Sequence, residues 1–334
     1  MPLTGRNFLT TQDFSRRELE QILATAVKQK KSGWKPLRSR PRLALLFFNP
    51  SLRTRSSFEL AAWQLGGHAV TLQPGKDAWP MEWREGIPMD GEAEEHVKDA
   101  ARVLGRFFDA VCVRCFPKFQ DWSVDRQDSM LHAIEKYAGV PVINMETIVH
   151  PCQELALALT MKEKMKKTEG KKFLLTWTFH TRGLNTAVAN SAALISTKMG
   201  MNLTILRPPG YDLDPMFLDQ ARKNAKEQGG SVAVTDSIDE GYRGADFVYC
   251  KSWGHLGYFG NWEAEKKVRE PFRHFIVSAD KMKKTNNAFV SHCLPMRRNV
   301  KMTDEVADSK RCLIIDEAEN RLHGQRALLT HLLA

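Results

Sequence analysis

Short apolar runs alternate with stretches of helical period along nearly the whole chain. Runs at 43–48, 68–72, 109–114 and 141–146 read as strands, with helices at 53–65, 92–107 and about 125–138 between them. A second set of strand-like runs covers 173–178, 202–206, 231–234, 246–250 and 288–292, with helices at about 184–199 and 213–227. A strand followed by a helix can pair with the next strand only through a crossover, so the strands lie parallel and the helices cover both faces. The expected fold is α/β, with two domains, each a parallel sheet with helices on both faces. A length of 334 residues exceeds one ordinary core and suits two of about 150 each.

An earlier helix is expected over 11–31, with Ser15 placed to cap it and Leu19, Ile22, Leu23 and Ala26 on its apolar side. Residues 73–91 hold Pro74, Gly75, Pro80, Gly86 and Pro88 and read as loop. Glu154 to Lys166 reads as a connecting helix, and Thr168-Glu169-Gly170-Lys171 as the linker. The segment 316–333 reads as one terminal helix. The division expected is 1–153, 154–315 and a terminal helix at 316–334.

Composition narrows the class. Hydrophobic content of 43% and charged content of 26% are those of a soluble globular protein. No run approaches the roughly 18 apolar residues that a membrane span needs. The first eight residues lack the apolar core of a signal peptide, and Asp13 and Glu18 argue against a transit peptide, so a cytoplasmic location is expected. Cysteines stand at 112, 115, 152, 250, 293 and 312, mostly in strand-like runs, as buried thiols of a reducing compartment do. Cys112 and Cys115 have metal-ligand spacing, but no second pair follows and in a strand they face opposite sides; no metal is expected. The net charge of +10 gathers at 28–42, 162–172 and 281–284. Few aromatics interleave there, so solvated faces are favoured over nucleic-acid binding, with a basic nucleic-acid-binding protein on a catalytically inactive scaffold as the alternative. Neither Gly-x-Gly-x-x-Gly after a strand nor a phosphate-binding Gly-Lys loop is present, which disfavours nicotinamide, flavin and nucleotide cofactors.

The loop Ser51-Leu52-Arg53-Thr54-Arg55 lies between the run 43–48 and a helix. A strand, a short polar loop and a new helix present unpaired N–H groups together with hydroxyls and guanidiniums, and the helix dipole favours negative charge. Bidentate arginine suits phosphate. The loop reads as a phosphate cradle; a serine N-cap beside two solvated arginines is the plainer alternative. Four segments in chain order decide between them: Ser51-Leu52-Arg53-Thr54-Arg55, His150-Pro151-Cys152-Gln153, His292-Cys293-Leu294-Pro295 and Glu319-Asn320-Arg321. Together they resemble the aspartate/ornithine carbamoyltransferase family along nearly the whole chain.

The resemblance implies that residues 1–153 bind carbamoyl phosphate, that 154–315 bind the acceptor, and that the terminal helix returns to the first domain. It implies phosphate contacts from Ser51, the Leu52 backbone, Arg53 and Thr54. Contacts to the carbamoyl group are implied for Arg114, His150 and Gln153, with Cys293 and Leu294 nearby and Arg321 adding a guanidinium. Thr54, Arg114 and His150 are the expected catalytic residues. Taken singly, His150 reads equally as a residue opening a helix ahead of Pro151 and Arg114 as a surface strand end; for Arg321 a cap or interdomain salt bridge is the lesser alternative.

The ornithine enzymes carry a serine-methionine-glycine segment that grips a free α-amino group. Here the segment is Lys251-Ser252-Trp253-Gly254. A lysine repels an α-ammonium and attracts an α-carboxylate, so an acceptor with a blocked α-amino group is expected. This departure, with Asn144-Met145-Glu146 and the segment 296–301, resembles the N-acetylornithine branch of the family. That branch implies Glu146, Asn185, Lys251 and Arg297 at the acceptor and Trp79 reaching a neighbouring subunit in a homotrimer. It also implies a carboxylated Lys301, for which a surface lysine is the alternative. The N-succinylornithine enzymes have proline where Glu94 stands, so Glu94 favours acetyl over succinyl; it reads equally as a first-turn glutamate of a helix starting near Glu92. No cofactor is implied.

Overall fold

The computed structural model describes residues 3–334. Two compact units divide the chain: the first holds the N-terminal residues to Lys118, Ser123–Leu155 and Arg321–Ala334, the second Phe119–Trp122 and Ala156–Asn320.

In the first unit α1 (Arg16–Ser32), β1 (Arg42–Phe47), α2 (Arg53–Gln64), β2 (His68–Leu72), α3 (Val97–Phe107), β3 (Ala110–Arg114), α4 (Ser129–Ala138) and β4 (Val142–Glu146) follow in order. Ser15 and Glu18 form a capping box at the start of α1, which buries Leu19, Ile22, Leu23 and Ala26. The strands pair in parallel in the order β2-β1-β3-β4. Every residue of β3 is buried, as both faces of a parallel sheet require. Ala44, Leu46, Val111 and Val113 of the sheet pack with Val97, Ala101 and Leu104 of α3 and with Leu131 and Ile134 of α4.

Several helix starts differ from the sequence reading, two of them for a local reason. The helix expected from 92 begins at Val97, because Glu95–His96 pairs with Met81–Glu82 as a short parallel ladder and the His96 ring accepts the Lys98 N–H as N-cap. The helix expected from about 125 begins at Ser129. A separate turn at Trp122–Asp125 precedes it, and Asp128 has a left-handed φ of 52° that no helix interior accommodates.

α5 (Pro151–Met165) begins in the first unit and continues into the second. There β5 (Lys172–Trp177), α6 (Ala187–Lys198), β6 (Asn202–Leu206), α7 (Pro215–Gln228), β7 (Val232–Thr235), β8 (Phe247–Lys251), α8 (Trp262–Arg269), β9 (Phe289–Ser291) and α9 (Ile314–Leu333) follow. The sheet is again parallel, ordered β9-β8-β5-β6-β7. Asp214, Pro215 and the left-handed Gly229 supply the start and stop of α7. α9 runs back into the first unit from Arg321 onwards. There His331 lies 2.9 Å from Thr25 Oγ1, Gln29 donates to Thr330 Oγ1 at 3.0 Å, and Arg326 donates to Gln29 at 3.0 Å. The terminal helix thus packs on the first domain, as the resemblance implied.

Candidate active site

Phosphate-binding residue types gather at the carboxyl end of the first sheet, where loops of parallel strands leave backbone groups open. β1 ends at Phe47 and α2 begins at Arg53. Ser51 Oγ accepts the Thr54 N–H at 3.1 Å, so it serves one of the four N–H groups that α2 itself leaves without partners. Asn49 Oδ1 accepts the Phe116 N–H at 2.7 Å, and the Phe48 N–H donates to Arg114 O at 3.0 Å, which ties this loop to the end of β3. The Leu52 side chain is 74% exposed and points its bulk to solvent.

Arg321 of α9 is buried beside this loop. It donates to Thr54 Oγ1 at 2.7 Å and to Gln153 Oε1 at 2.6 Å, two neutral acceptors. Burial pulls its guanidinium below the ordinary range; Arg114 and Arg53 act in the same direction, and Cys152 and the Glu146 carboxylate oppose them. A cation held by neutral partners, in the field of two others, favours an anion. The cap or interdomain salt bridge that the sequence allowed for Arg321 is not its arrangement; its partners Thr54 and Gln153 lie in the same unit.

Arg114 is buried at the end of β3, not on the surface. It donates to Glu146 Oε2 in a short ion pair and lies 4.6 Å from the centre of the Phe116 ring. His150 Nε2 stands 3.6 Å from the same Glu146 oxygen. His150 heads α5, and its carbonyl accepts the N–H groups of Gln153 and Glu154 at 2.9 and 3.1 Å. The i, i+3 spacing puts His150 and Gln153 on one face of that helix. Glu146, expected at the acceptor, lies here against Arg114 and His150.

The residues expected at the acceptor, Glu146 apart, lie in the second unit. Lys251 ends β8, and its Nζ is 3.6 Å from Cys293 Sγ. After β9 the His292 Nδ1 accepts the Leu294 N–H at 2.8 Å, with Leu294 at a φ of 54°. An accepting Nδ1 assigns the proton of a neutral ring to Nε2, which lies 3.3 Å from Lys301 Nζ. Lys301 is 2% exposed, so the surface-lysine alternative fails. Burial, and then the charge of Lys251, pull its pKa down to about 7. His180, in the loop after β5, is pulled down to about 4 by burial and by Lys301. Asn185 is partly buried in the same loop and accepts the Ala187 N–H at 3.2 Å. The Gly254 N–H donates to Leu184 O at 2.9 Å, which links that loop to the end of β8. Arg297 is exposed.

Two expected residues stand apart from these clusters. Glu94 is exposed in the segment before α3, so it is not a first-turn glutamate of that helix. Trp79 is 66% exposed at the lip of an open cavity of about 550 Å³ lined by Leu72, Met81, Glu95 and Leu104. No three His, Cys, Asp or Glu residues gather in metal-binding geometry among the described residues. Sequence reasoning passed over His180, although it sits in a loop after a strand, and over Glu317. The buried Glu317 carboxylate accepts from Tyr249 and Ser291, bracing β8 and β9 beneath Lys251 and His292.

Residues 6–163 match the family described as aspartate/ornithine carbamoyltransferase, carbamoyl-P binding domain, and 161–332 match its Asp/Orn binding domain. N-acetylornithine carbamoyltransferase of Xanthomonas campestris pv. campestris is 57% identical over 98% of this chain and 97% of its own length. N-succinylornithine carbamoyltransferase of Bacteroides thetaiotaomicron is 35% identical, with 98% of each chain covered. The crystal structure of acetylornithine transcarbamylase complexed with acetylcitrulline superposes with a TM-score of 0.96 at 56% identity, covering 98% of this chain and 99% of that one. With both halves matched, the chain belongs to the aspartate/ornithine carbamoyltransferase family.

Proposed function

We propose that this chain transfers the carbamoyl group of carbamoyl phosphate to the side-chain amine of N-acetyl-L-ornithine, giving N-acetyl-L-citrulline and phosphate in arginine biosynthesis. The observation that carries it is Arg321, buried on the neutral Thr54 and Gln153 in the field of Arg53 and Arg114, an arrangement suited to a dianion. Ser51, the Leu52 backbone, Arg53, Thr54 and Arg321 hold the phosphate, and Trp79 of a neighbouring subunit reaches the same group. Arg114, His150 and Gln153 address the carbamoyl group, assisted by Cys293 and Leu294. The neutral amine attacks the carbonyl carbon, and the oxyanion develops against Thr54, Arg114 and His150. As the tetrahedral species collapses, the C–O bond to phosphate breaks and the amine proton passes to the leaving phosphate. Positioning and electrostatics supply the rate, with no cofactor.

Lys251 pairs with the acceptor's α-carboxylate, with Glu146, Asn185 and Arg297 at the same substrate. Residues 1–153 form the carbamoyl phosphate domain, 154–315 the acceptor domain and 316–334 the returning helix. Acetyl is favoured over succinyl because an exposed carboxylate at Glu94 repels a second carboxylate; the greater identity to N-acetylornithine than to N-succinylornithine enzymes supports the same choice. Lys301 carries a carboxyl group: its neutral Nζ adds to carbon dioxide, an N–C bond forms and one proton is released. Its depressed pKa of about 7 supports this, since only the free amine reacts. A homotrimer is part of the reading, supported by exposed Leu60, Trp63 and Trp79 in the first unit. A cytoplasmic location agrees with free cysteines throughout the described residues.

Steady-state kinetics test the roles. Arg53→Ala should abolish carbamoyl-phosphate saturation, while Lys251→Ala should raise the acceptor KM at least about ten-fold with kcat less affected. Unchanged acceptor saturation in Lys251→Ala would contradict the blocked-amine reading.

A further inference from the structure

Glu146 ends β4 and His150 opens α5, and only three residues separate them. That turn is closed by the Thr147 N–H donating to Val149 O at 2.9 Å. The Thr147 hydroxyl accepts from Asn144 Nδ2 at 2.9 Å and donates in a short hydrogen bond to Asp128 Oδ2. Asn144 Nδ2 also donates to Leu9 O at 3.0 Å. A relay of side chains therefore runs from α4 to the turn that spaces two residues of the site.

Asp128 is in an unusual position for this work. It stands at the N-cap of α4, yet its carboxylate makes no cap hydrogen bond, and its backbone is left-handed. An N-cap aspartate ordinarily takes an N–H of its own first turn. Here the carboxylate serves another element instead.

We propose that Asp128 is a positioning residue for carbamoyl phosphate: through the Thr147 hydroxyl it fixes the turn between Glu146 and His150, and so sets where His150 stands against Arg114, while Glu146 is held by the β4 ladder itself. The inference rests on the reading of that cluster as the carbamoyl-phosphate site. The charged and titratable groups around Asp128 are His132 on α4, Asp125 before it, and Lys118 and Cys115 after β3. Burial outweighs the Thr147 hydrogen bond and the His132 charge, and pushes the Asp128 carboxyl up to about 6. Protonation replaces a charged acceptor by a neutral one, which holds the Thr147 hydroxyl less firmly. The brace is therefore strongest above that pH and slackens below it.

Carbamoyl-phosphate saturation of the intact chain and of Asp128→Gly, Thr147→Val, their double variant and Asp128→Asn tests this. Asp128→Gly accepts the left-handed backbone and removes the acceptor, so a folding loss does not mask the result. It should raise the KM for carbamoyl phosphate about ten-fold and leave the acceptor KM within about two-fold, as should Thr147→Val. The double variant should be no worse than either single one, because both break the same link. Asp128→Asn keeps an acceptor oxygen and should restore the KM to within about three-fold at neutral pH. In the intact chain the KM should climb as pH falls through about 6, and in Asp128→Asn it should stay flat there. An unchanged carbamoyl-phosphate KM, equal losses for both substrates, or additive losses in the double variant would overturn the inference. If the intact chain shows no carbamoyl transfer, the functional reading fails separately. The brace is then judged by calorimetry with inorganic phosphate, where the same ranking of variants supports it and equal binding overturns it.

Discussion

Arg321 illustrates how a residue can be costly to the fold and useful to the site. Its guanidinium is buried on two neutral partners, with like charges nearby. Buried cations without a paired anion weigh against stability, and apolar replacements of similar volume are often neutral or stabilising. Arg321→Met should therefore leave Tm equal or higher while raising the carbamoyl-phosphate KM by about a hundred-fold, the loss of roughly 3 kcal/mol of charged hydrogen bonding. Arg321→Lys should not rescue it, since a point charge cannot reach Thr54 and Gln153 together. A Tm loss as large as the activity loss would make Arg321 a structural residue. Lys301 gives a prediction with a definite sign. Its folded pKa of about 7 lies below the ordinary 10.5, so its amine favours stability above the ordinary value, and that advantage is lost as pH falls towards 7. In carbon-dioxide-free buffer, Lys301→Met should gain Tm relative to the intact chain between about pH 10 and 7 and keep a constant difference below that. A constant difference across the whole range would contradict burial of the free amine.

The elements show what the sequence made legible. Strands were readable because parallel strands buried on both faces are continuous apolar runs, as β3 is. Helix starts were less so. A two-residue ladder at Glu95–His96 and a left-handed Asp128 leave little trace in hydrophobic period, yet they displace two helices. α8 passed unread because its buried face is an ion pair, Glu265 with Arg269 at 2.8 Å, so Glu-Ala-Glu-Lys-Lys resembled a solvated stretch. At the site, Ser51–Arg55 and the His150–Gln153 segment were legible because their residue types are specific. The Arg114–Glu146 contact, the burial of Lys301 beside His292 and the Asp128–Thr147 link depend on packing, which no local pattern encodes. α9 is the element that joins distant sequence in the first unit. Arg326, 0% exposed, donates to Gln29 of α1 and Gln64 of α2 and lies 4.3 Å from the centre of the Trp34 ring. Arg326→Ala should lower stability by about 2–4 kcal/mol through lost packing and an unsatisfied buried Gln64 amide, with both KM values unchanged. Chemical denaturation beside steady-state kinetics checks this.

At the scale of the whole molecule, a net charge of +10 favours encounter with anionic substrates, and raising ionic strength should slow kcat/KM for carbamoyl phosphate. Exposed Trp63 and Trp79 are costly on a monomer, and light scattering should return three chains per particle. Trp79→Ala should leave that mass unchanged and weaken carbamoyl-phosphate use, whereas a purely local Trp79 would leave the kinetics intact. The central claim is the pairing of donor and acceptor, and carbamoyl transfer from carbamoyl phosphate to N-acetylornithine, N-succinylornithine and ornithine in parallel tests it most directly. Turnover with the acetyl compound, at least about a hundred-fold above the other two in kcat/KM, is the result expected from Lys251 and Glu94. Preference for free ornithine would contradict the role of Lys251, preference for the succinyl compound that of Glu94, and turnover with none of the three would contradict the function itself.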